Sequence, residues 1–391
     1  MPASLRLPFR HFHRIAWLAA LMTASTIVFG GFVRLSDAGL SCPDWPTCYG
    51  RVAWPQAPSE VTDHAATRIR PLETHKAWRE QVHRFLAGML SIEIFSLALM
   101  AVRRRRLGVT QVIVSAVLVA AAIPLYMKGL HAAASVVALL GEGILLVAAW
   151  RWSSPGSNAG DLSRVAVLTL AMIIFQALLG MWTVTWLLKP IVVMGHLLGG
   201  LATFALLVWM AWRATQLPIR LGQAGVLKRW LWIGFGLLVL QIALGGWVSA
   251  NYAALACGGG SWRVTNFPQC VGQWWPPHDF REGFTLWRGI GVDYEGGVLD
   301  GASRIAIQMA HRLMAIVLFC WLVACSIRLW RVPGMRGWAV GLLVALLAQV
   351  SLGILNVKLA LPLTVAVLHN AGAVLLTFLL VSLLARLKEP A

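Results

Sequence analysis

Charge is scarce in this sequence. Of 391 residues only 12% are charged, about half the share of an ordinary soluble domain, while 59% are hydrophobic and the mean hydropathy is +0.72. That shortage excludes a chain that keeps itself in water and leaves the membrane as its solvent. Acidic residues are scarcer than basic ones, 15 against 33, and the net charge of +18 would fit a nucleic-acid partner if the basic residues formed one patch. They do not. They fall in alternate loops: Arg6, Arg10 and Arg14; Arg103 to Arg106; Arg151 and Arg164; Arg213, Arg220, Lys228 and Arg229; Arg328, Arg331 and Arg336; Arg386 and Lys388. Among these stand only two acids, Asp161 and Glu389. By the positive-inside rule those loops and both termini face the cytoplasm, and a nucleic-acid partner is set aside.

Two further absences are informative. No clear small-x-small cleavage site precedes Gly30-Gly31, so the basic amino terminus and its apolar run read as a first membrane helix rather than a removed signal peptide. No two cysteines stand in Cys-x-x-Cys spacing, which disfavours a zinc site. Cys42 and Cys48 share one external loop, and Cys257 and Cys270 share another. One pair per loop on the oxidising side reads as two disulfides. Cys320 and Cys325 lie in an apolar run and read as core residues.

What is abundant is apolar sequence in runs of membrane-spanning length. Ten are legible, near 15–34, 80–102, 110–127, 131–150, 164–186, 191–212, 230–250, 305–327, 338–357 and 362–385. An even number agrees with both termini on one side. The fold class expected is all-α and integral to the membrane.

The runs repeat. Gly30-Gly31-Phe32-Val33 is answered by Gly245-Gly246-Trp247-Val248, and Val82-His83-Arg84 by Ala310-His311-Arg312. Gln176-Ala177-Leu178-Leu179-Gly180 is answered by Gln349-Val350-Ser351-Leu352-Gly353, and the His196 segment by the His369 segment. His83 and His196 are 113 residues apart but His311 and His369 only 58, so the first half carries about 55 extra residues (113 − 58). The chain therefore reads as two pseudo-symmetric four-helix bundles, 1–212 and 213–391, an eight-helix core with a hairpin inserted at about 107–160. The linker Ser153 to Gly160 has turn composition, which suits a boundary.

Four histidines, His83, His196, His311 and His369, recur at equivalent places, two per half, inside apolar runs. Ionisable groups there are functional candidates; a lone one would read as a hydrogen-bonded packing residue, but a duplicated pair points elsewhere. Two neutral imidazoles facing each other in a helical bundle suit axial ligation of heme iron. All four should lie in the outer half of the bilayer, beneath the cysteine loops. Arg84 and Arg312 directly follow two of the ligands, suited to heme propionates, with snorkelling to the interface as the bland alternative.

Something must distinguish two duplicated sites. Glu80 precedes His83 by three residues and shares its helix face, whereas the second half has Gln308 there. A carboxylate beside one heme suits a general base or a stabiliser of positive charge. The competing reading is a solvated glutamate at the helix start. Glu93 and Glu142 have no repeat partner and no ligand nearby.

With the motif Glu80-Gln81-Val82-His83-Arg84, the loop Cys42-Pro43-Asp44-Trp45-Pro46-Thr47-Cys48 and the stretch Gly245 to Ala256 in view, the sequence resembles the heme A synthase family of proteobacteria and mitochondria, over nearly everything outside about 107–160. The resemblance implies an enzyme of the bacterial inner membrane that oxidises the C8 methyl of heme O to a formyl group by successive hydroxylations, giving heme A for cytochrome oxidase. It implies heme b as cofactor on His311 and His369, with Arg312 beside it. It places substrate heme O at His83 and His196, with Arg84 and with Glu80 as the catalytic carboxylate. Cys42 and Cys48 resemble the family's loop pair, for which redox and structural roles are both open. The 12 residues between Cys257 and Cys270 are more than that pattern leads one to expect. Beyond membrane lipid, the partners to consider are the heme O synthase and an electron acceptor, and an oligomer is compatible with all of this. The alternatives are a diheme b-type cytochrome passing electrons from quinol, and an inverted-repeat transporter, which even-numbered halves and unbroken helices disfavour.

Overall fold

The computed structural model describes residues 11–152, 161–258 and 266–390; the linker Ser153 to Gly160 lies outside them. Twelve α-helices account for most of the described chain: α1 Phe12–Leu35, α2 His64–Ile69, α3 Thr74–Val102, α4 Gly108–Met127, α5 His131–Arg151, α6 Ser163–Thr185, α7 Pro190–Thr215, α8 Ala224–Ala250, α9 Phe280–Gly283, α10 Gly301–Trp330, α11 Arg336–Lys358 and α12 Leu363–Arg386. All but α2 and α9 are long and apolar enough to cross a membrane, ten among the described residues, and they coincide with the ten apolar runs. The chain is a polytopic helical membrane protein. Helices are what apolar sequence must form there, because a hydrocarbon core offers the backbone no hydrogen-bond partner but itself.

Several helices extend beyond their apolar runs. α3 starts at Thr74 and α10 at Gly301, ahead of the expected 80 and 305, and Asp300 caps α10 by accepting from the Ser303 N–H at 2.8 Å. The apolar run marks where lipid begins, whereas a helix continues as far as caps and loop contacts hold it. This moves Glu80 and His83 from a helix start to its second and third turns.

The α-carbon contacts fall into two clusters. The first contains the described residues of Met1–Thr26, Arg84–Leu178 and Ala202–Pro218. In it α4 and α5 form an antiparallel hairpin around Gly129, whose φ of 77° sets the turn. Ser115 Oγ donates to the Gly141 carbonyl at 2.8 Å, and small residues Ala122, Ala134 and Ala138 bring the two helices together. Trp17 of α1 meets Trp212 of α7 edge-on at 4.9 Å. Arg105 pairs with Asp161 and donates to Ser163 Oγ, tying the end of α3 to the start of α6.

The second cluster contains Ile27–His83, Leu179–Leu201 and the described residues of Ile219–Ala391. Here α8, α10, α11 and α12 close a four-helix ring, with α10 against α8 and α11, and α12 against α11 and α8. A two-residue parallel ladder, Ile219–Arg220 on Leu387–Lys388, ties the chain entering α8 to the end of α12. At the opposite end the loops before α3, α7 and α10 interlock: Arg70 pairs with Asp293 at 3.2 Å and Glu295 at 2.5 Å, and the Tyr294 N–H donates to the Leu187 carbonyl at 3.1 Å. Lys189, 1% exposed, lies with Nζ 3.3 Å from the Trp287 ring centre, a cation–π contact that offsets part of the cost of burying its charge.

The repeat is visible in local geometry. The turns before α7 and α12 each carry two successive left-handed residues, Leu187 and Leu188 (φ 49° and 58°), Ala360 and Leu361 (φ 60° and 61°). Both cysteine loops end in a bridge from the second cysteine to the residue three further on, Cys48 to Arg51 and Cys270 to Gln273.

Candidate functional site

Each of the four histidines stands against a glycine of a neighbouring helix. A methyl group on Gly245 of α8 would lie 3.1 Å from Cε1 of His311, and one on Gly353 of α11 would lie 3.0 Å from Cε1 of His369. On Gly180 of α6 it would lie 3.3 Å from Cε1 of His196, and on Gly30 of α1 2.7 Å from Nε2 of His83. Gly30 corresponds to Gly245 in the repeat, and Gly180 to Gly353. The glycines are therefore gaps in which one ring atom of each imidazole, Cε1 in three cases and Nε2 in the fourth, comes close to a helix backbone.

The second glycine of each pair has a different neighbour. Gly31 faces the side chain of Asn370, which follows His369, while Gly246 faces Leu197, which follows His196. Each Gly-Gly pair thus seats the histidine helix of one half with its first residue and that of the other half with its second.

In the first pair the ring centres of His83 and His196 are 6.4 Å apart, with planes at 77°. Above them Glu80 is 5% exposed, so the solvated-glutamate reading fails. Its Oε2 accepts from the Cys42 N–H at 2.8 Å and from Ser41 Oγ at 3.2 Å. Disulfides join Cys42 to Cys48 and Cys257 to Cys270. The first of these fixes the turn whose backbone holds the carboxylate. Tyr49, fully buried in that loop, has its pKa pushed up to about 12 by burial and then by the negative charges of Glu80, Asp44 and Glu73, against a smaller opposing effect of Arg70. Arg84, next along α3, is half-buried and groups with the first contact cluster.

In the second pair His369 Nδ1 lies 3.1 Å from the Gln349 carbonyl, and His311 Nδ1 lies 3.1 Å from the side-chain nitrogen of Gln241. Gln308, at the place of Glu80, is also buried. Arg312 reaches the Pro268 and Gln269 carbonyls with Nη1, but its buried Nε and Nη2 have no hydrogen-bond partner among the described residues.

These features suit heme. Two imidazoles that share one iron stand with centres about 6 Å apart, since each metal–nitrogen bond is about 2 Å and each nitrogen lies about 1 Å from its ring centre; the first pair has that spacing. An axial imidazole needs an acceptor for its other N–H, and the Gln349 carbonyl is one. The orphaned Nε and Nη2 of Arg312 call for an anion, which a propionate is.

Residues 13–130 and 130–381 match the family described as cytochrome oxidase assembly protein. The chain belongs to that family. The two matched segments meet in the turn between α4 and α5. The chain is 33% identical over 377 residues to the heme A synthase of Shewanella oneidensis, covering 95% of this chain and 96% of that one. It is 26% identical to that of Caulobacter vibrioides (96% and 95% covered) and 28% identical to that of Paracoccus denitrificans (92% and 84%).

Sequence reasoning missed Ser41 and Gln241. Ser41 is adjacent to a cysteine already singled out, and no spacing marks it. Gln241 had a signal: it precedes Gly245 by four residues, as Gln176 precedes Gly180 and Gln349 precedes Gly353.

Proposed function

We infer that the chain is a heme A synthase, an oxidoreductase that takes heme O and converts its C8 methyl to a formyl group by successive hydroxylations, supplying heme A to cytochrome oxidase. One observation carries the reading: two repeat-related histidine pairs in a chain of this family, with a buried carboxylate at only one of them. In this reading His311 and His369 hold a resident heme b, and Arg312 meets a propionate. His83 and His196 hold the substrate heme, with Arg84 toward its propionates. The halves 1–212 and 213–391 are the two heme bundles, and the hairpin at 107–160 is an addition to the first. The basic loops and both termini face the cytoplasm and the disulfide loops face the periplasm. The relatives carry the name of a synthase, which leaves the electron-transfer reading unfavoured.

Bound heme supplies the iron-centred redox chemistry. The protein supplies position and a proton acceptor. Glu80 is held by the Cys42 N–H at 2.8 Å, with Ser41 Oγ at 3.2 Å sharing its one proton with the Ala38 carbonyl at 2.6 Å, and it takes the proton that oxidation of the methyl group releases or balances the positive charge that develops there. Gln308 cannot do this, so chemistry belongs to the first half. Burial of Glu80, 5% exposed, keeps bulk water from the carboxylate.

The test is expression with heme O supplied, followed by chromatography of the extracted hemes, for wild type and Glu80→Gln. Wild type yields heme A; the variant binds heme but yields little. Wild type without heme A overturns the function, and undiminished heme A from the variant removes Glu80 from the mechanism.

A further inference from the structure

We propose that the segment between α9 and α10, Phe284 to Leu299, is a movable cover that closes on the turn between α6 and α7 and lifts to admit the substrate heme and release the product. The proposal rests on the reading of His83 and His196 as the substrate pair. A resident heme needs no opening, whereas a heme exchanged at every turnover does. The two halves differ in this respect. In the turn before α7, Leu188 and Lys189 are buried, 5% and 1% exposed; at the equivalent turn before α12, Leu361 and Pro362 are half-buried and Leu363 is exposed. The covering segment comes from the second half of the sequence, so one half closes over the other's turn.

Three residues hold the segment down. The Tyr294 N–H donates to the Leu187 carbonyl at 3.1 Å, and its side chain packs in one buried cluster with Val184, Leu188 and Leu40. Asp293 and Glu295, on either side of it, both pair with Arg70. The Trp287 ring lies on the Lys189 ammonium. Leu40 adjoins Ser41, which is beside the Glu80 carboxylate, and Lys189 stands seven residues before His196, two helical turns or about 10 Å along α7. The segment therefore spans the loop end of the site, from the turn that meets the carboxylate to the helix that carries a ligand. Around Tyr294, Gly291, Gly296 and Gly297 have φ of 85°, 77° and 85°, backbone that glycine adopts freely.

Lys189 is what keeps the closure reversible. Its Nζ is buried with no hydrogen-bond partner among the described residues, and the Trp287 ring, centred 3.3 Å away, offsets only part of what an unpaired buried charge costs. Trp287 itself is 63% exposed, so the indole is the outermost layer over the ammonium, and its departure would let water reach the charge. Closure is thus favoured by burial of Tyr294 and opposed by desolvation of one lysine. A cover that stays shut would have an apolar residue at that place, as the second half has Pro362 there.

Release passes through the lifted form, so its rate falls as the closed form gains stability. The experiment is heme transfer from the full-length protein in lipid nanodiscs, loaded with heme b and heme O, to excess apomyoglobin, followed by absorbance. Two phases are expected, and His83→Leu identifies the first-half phase by abolishing it. Lys189→Met should slow that phase about fivefold or more, the low end of what replacing a buried charge by an apolar side chain contributes, and leave the other phase unmoved. Trp287→Ala, which admits water to the ammonium, should speed it. A Lys189→Met protein whose first-half phase runs at or above the wild-type rate overturns the proposal. If that variant does not accumulate, Trp287→Ala decides: faster loss supports the proposal and an unmoved rate overturns it. Should His83→Leu leave both phases in place, the heme assignment falls first, a result distinguishable from a first-half phase that is present but insensitive to position 189.

Discussion

A methyl group on Gly30 would lie 2.7 Å from Nε2 of His83, closer than side-chain carbons approach their neighbours, so the glycine of α1 and the histidine of α3 are shaped to one another. At the equivalent place in the second half the nearest approach is 3.1 Å, from Gly245 to Cε1 of His311.

Gly30→Ala should therefore displace His83, at a cost of about 1–3 kcal/mol of overpacking, and lower heme occupancy of the first pair while leaving the second intact. Gly245→Ala should do less, because a shift of a few tenths of an ångström relieves it. Heme content and visible spectra of the two variants measure this. Equal losses in both would show that the closer contact has no consequence.

Arg312→Leu should weaken retention of the second-half heme by about tenfold to a hundredfold, as expected for losing one charge-assisted hydrogen bond of about 1.5–3 kcal/mol. Arg312→Lys should recover part of it, since a lysine keeps charge but not the planar fork. Transfer of heme to an apo-protein acceptor gives the rates. A Leu variant that releases heme no faster than wild type would count against a propionate partner.

Replacing both Cys42 and Cys48 by serine should leave Glu80 its acceptor contact, because the Cys42 backbone N–H, not the sulfur, donates to it. The cost should appear as stability, about 2–4 kcal/mol for a disulfide, with heme A formation kept in proportion to folded protein. Thermal unfolding and heme extraction on the same preparation separate the two. Folded double variant without heme A would instead assign the sulfurs a redox part.

The loop between α1 and α3 should loosen in alkali. Tyr49 is an acid whose folded pKa, about 12, lies above its ordinary value near 10. Its contribution is therefore complete below about pH 10 and lost as pH rises from there through about 12. Tyr49 Oη also donates to the Arg70 and Pro71 carbonyls, at 3.2 and 3.1 Å. Tyr49→Phe should cost about 1 kcal/mol at neutral pH and abolish the alkaline transition. Protease cleavage between 49 and 71 as a function of pH reads this out, and an unchanged transition in the variant would exclude Tyr49 as its origin.

The sequence by itself determined that this chain crosses a membrane ten times, because apolar length and loop charge are local quantities that need no neighbour to be read. It determined the duplication and the four histidines for a related reason: two copies in one chain supply the comparison that one copy lacks. Helix starts were less legible. Glu80 looks like a helix-end residue until α3 is seen to begin at Thr74, since the cap and loop contacts that prolong a helix leave no mark on hydropathy. Only the tertiary structure decided that the Cys42 N–H holds the carboxylate, that Gly30, Gly180, Gly245 and Gly353 each back a histidine, and that Gln241 meets His311 across 70 residues of chain. Those are relations between helices distant in sequence, and packing rather than periodicity sets which faces meet.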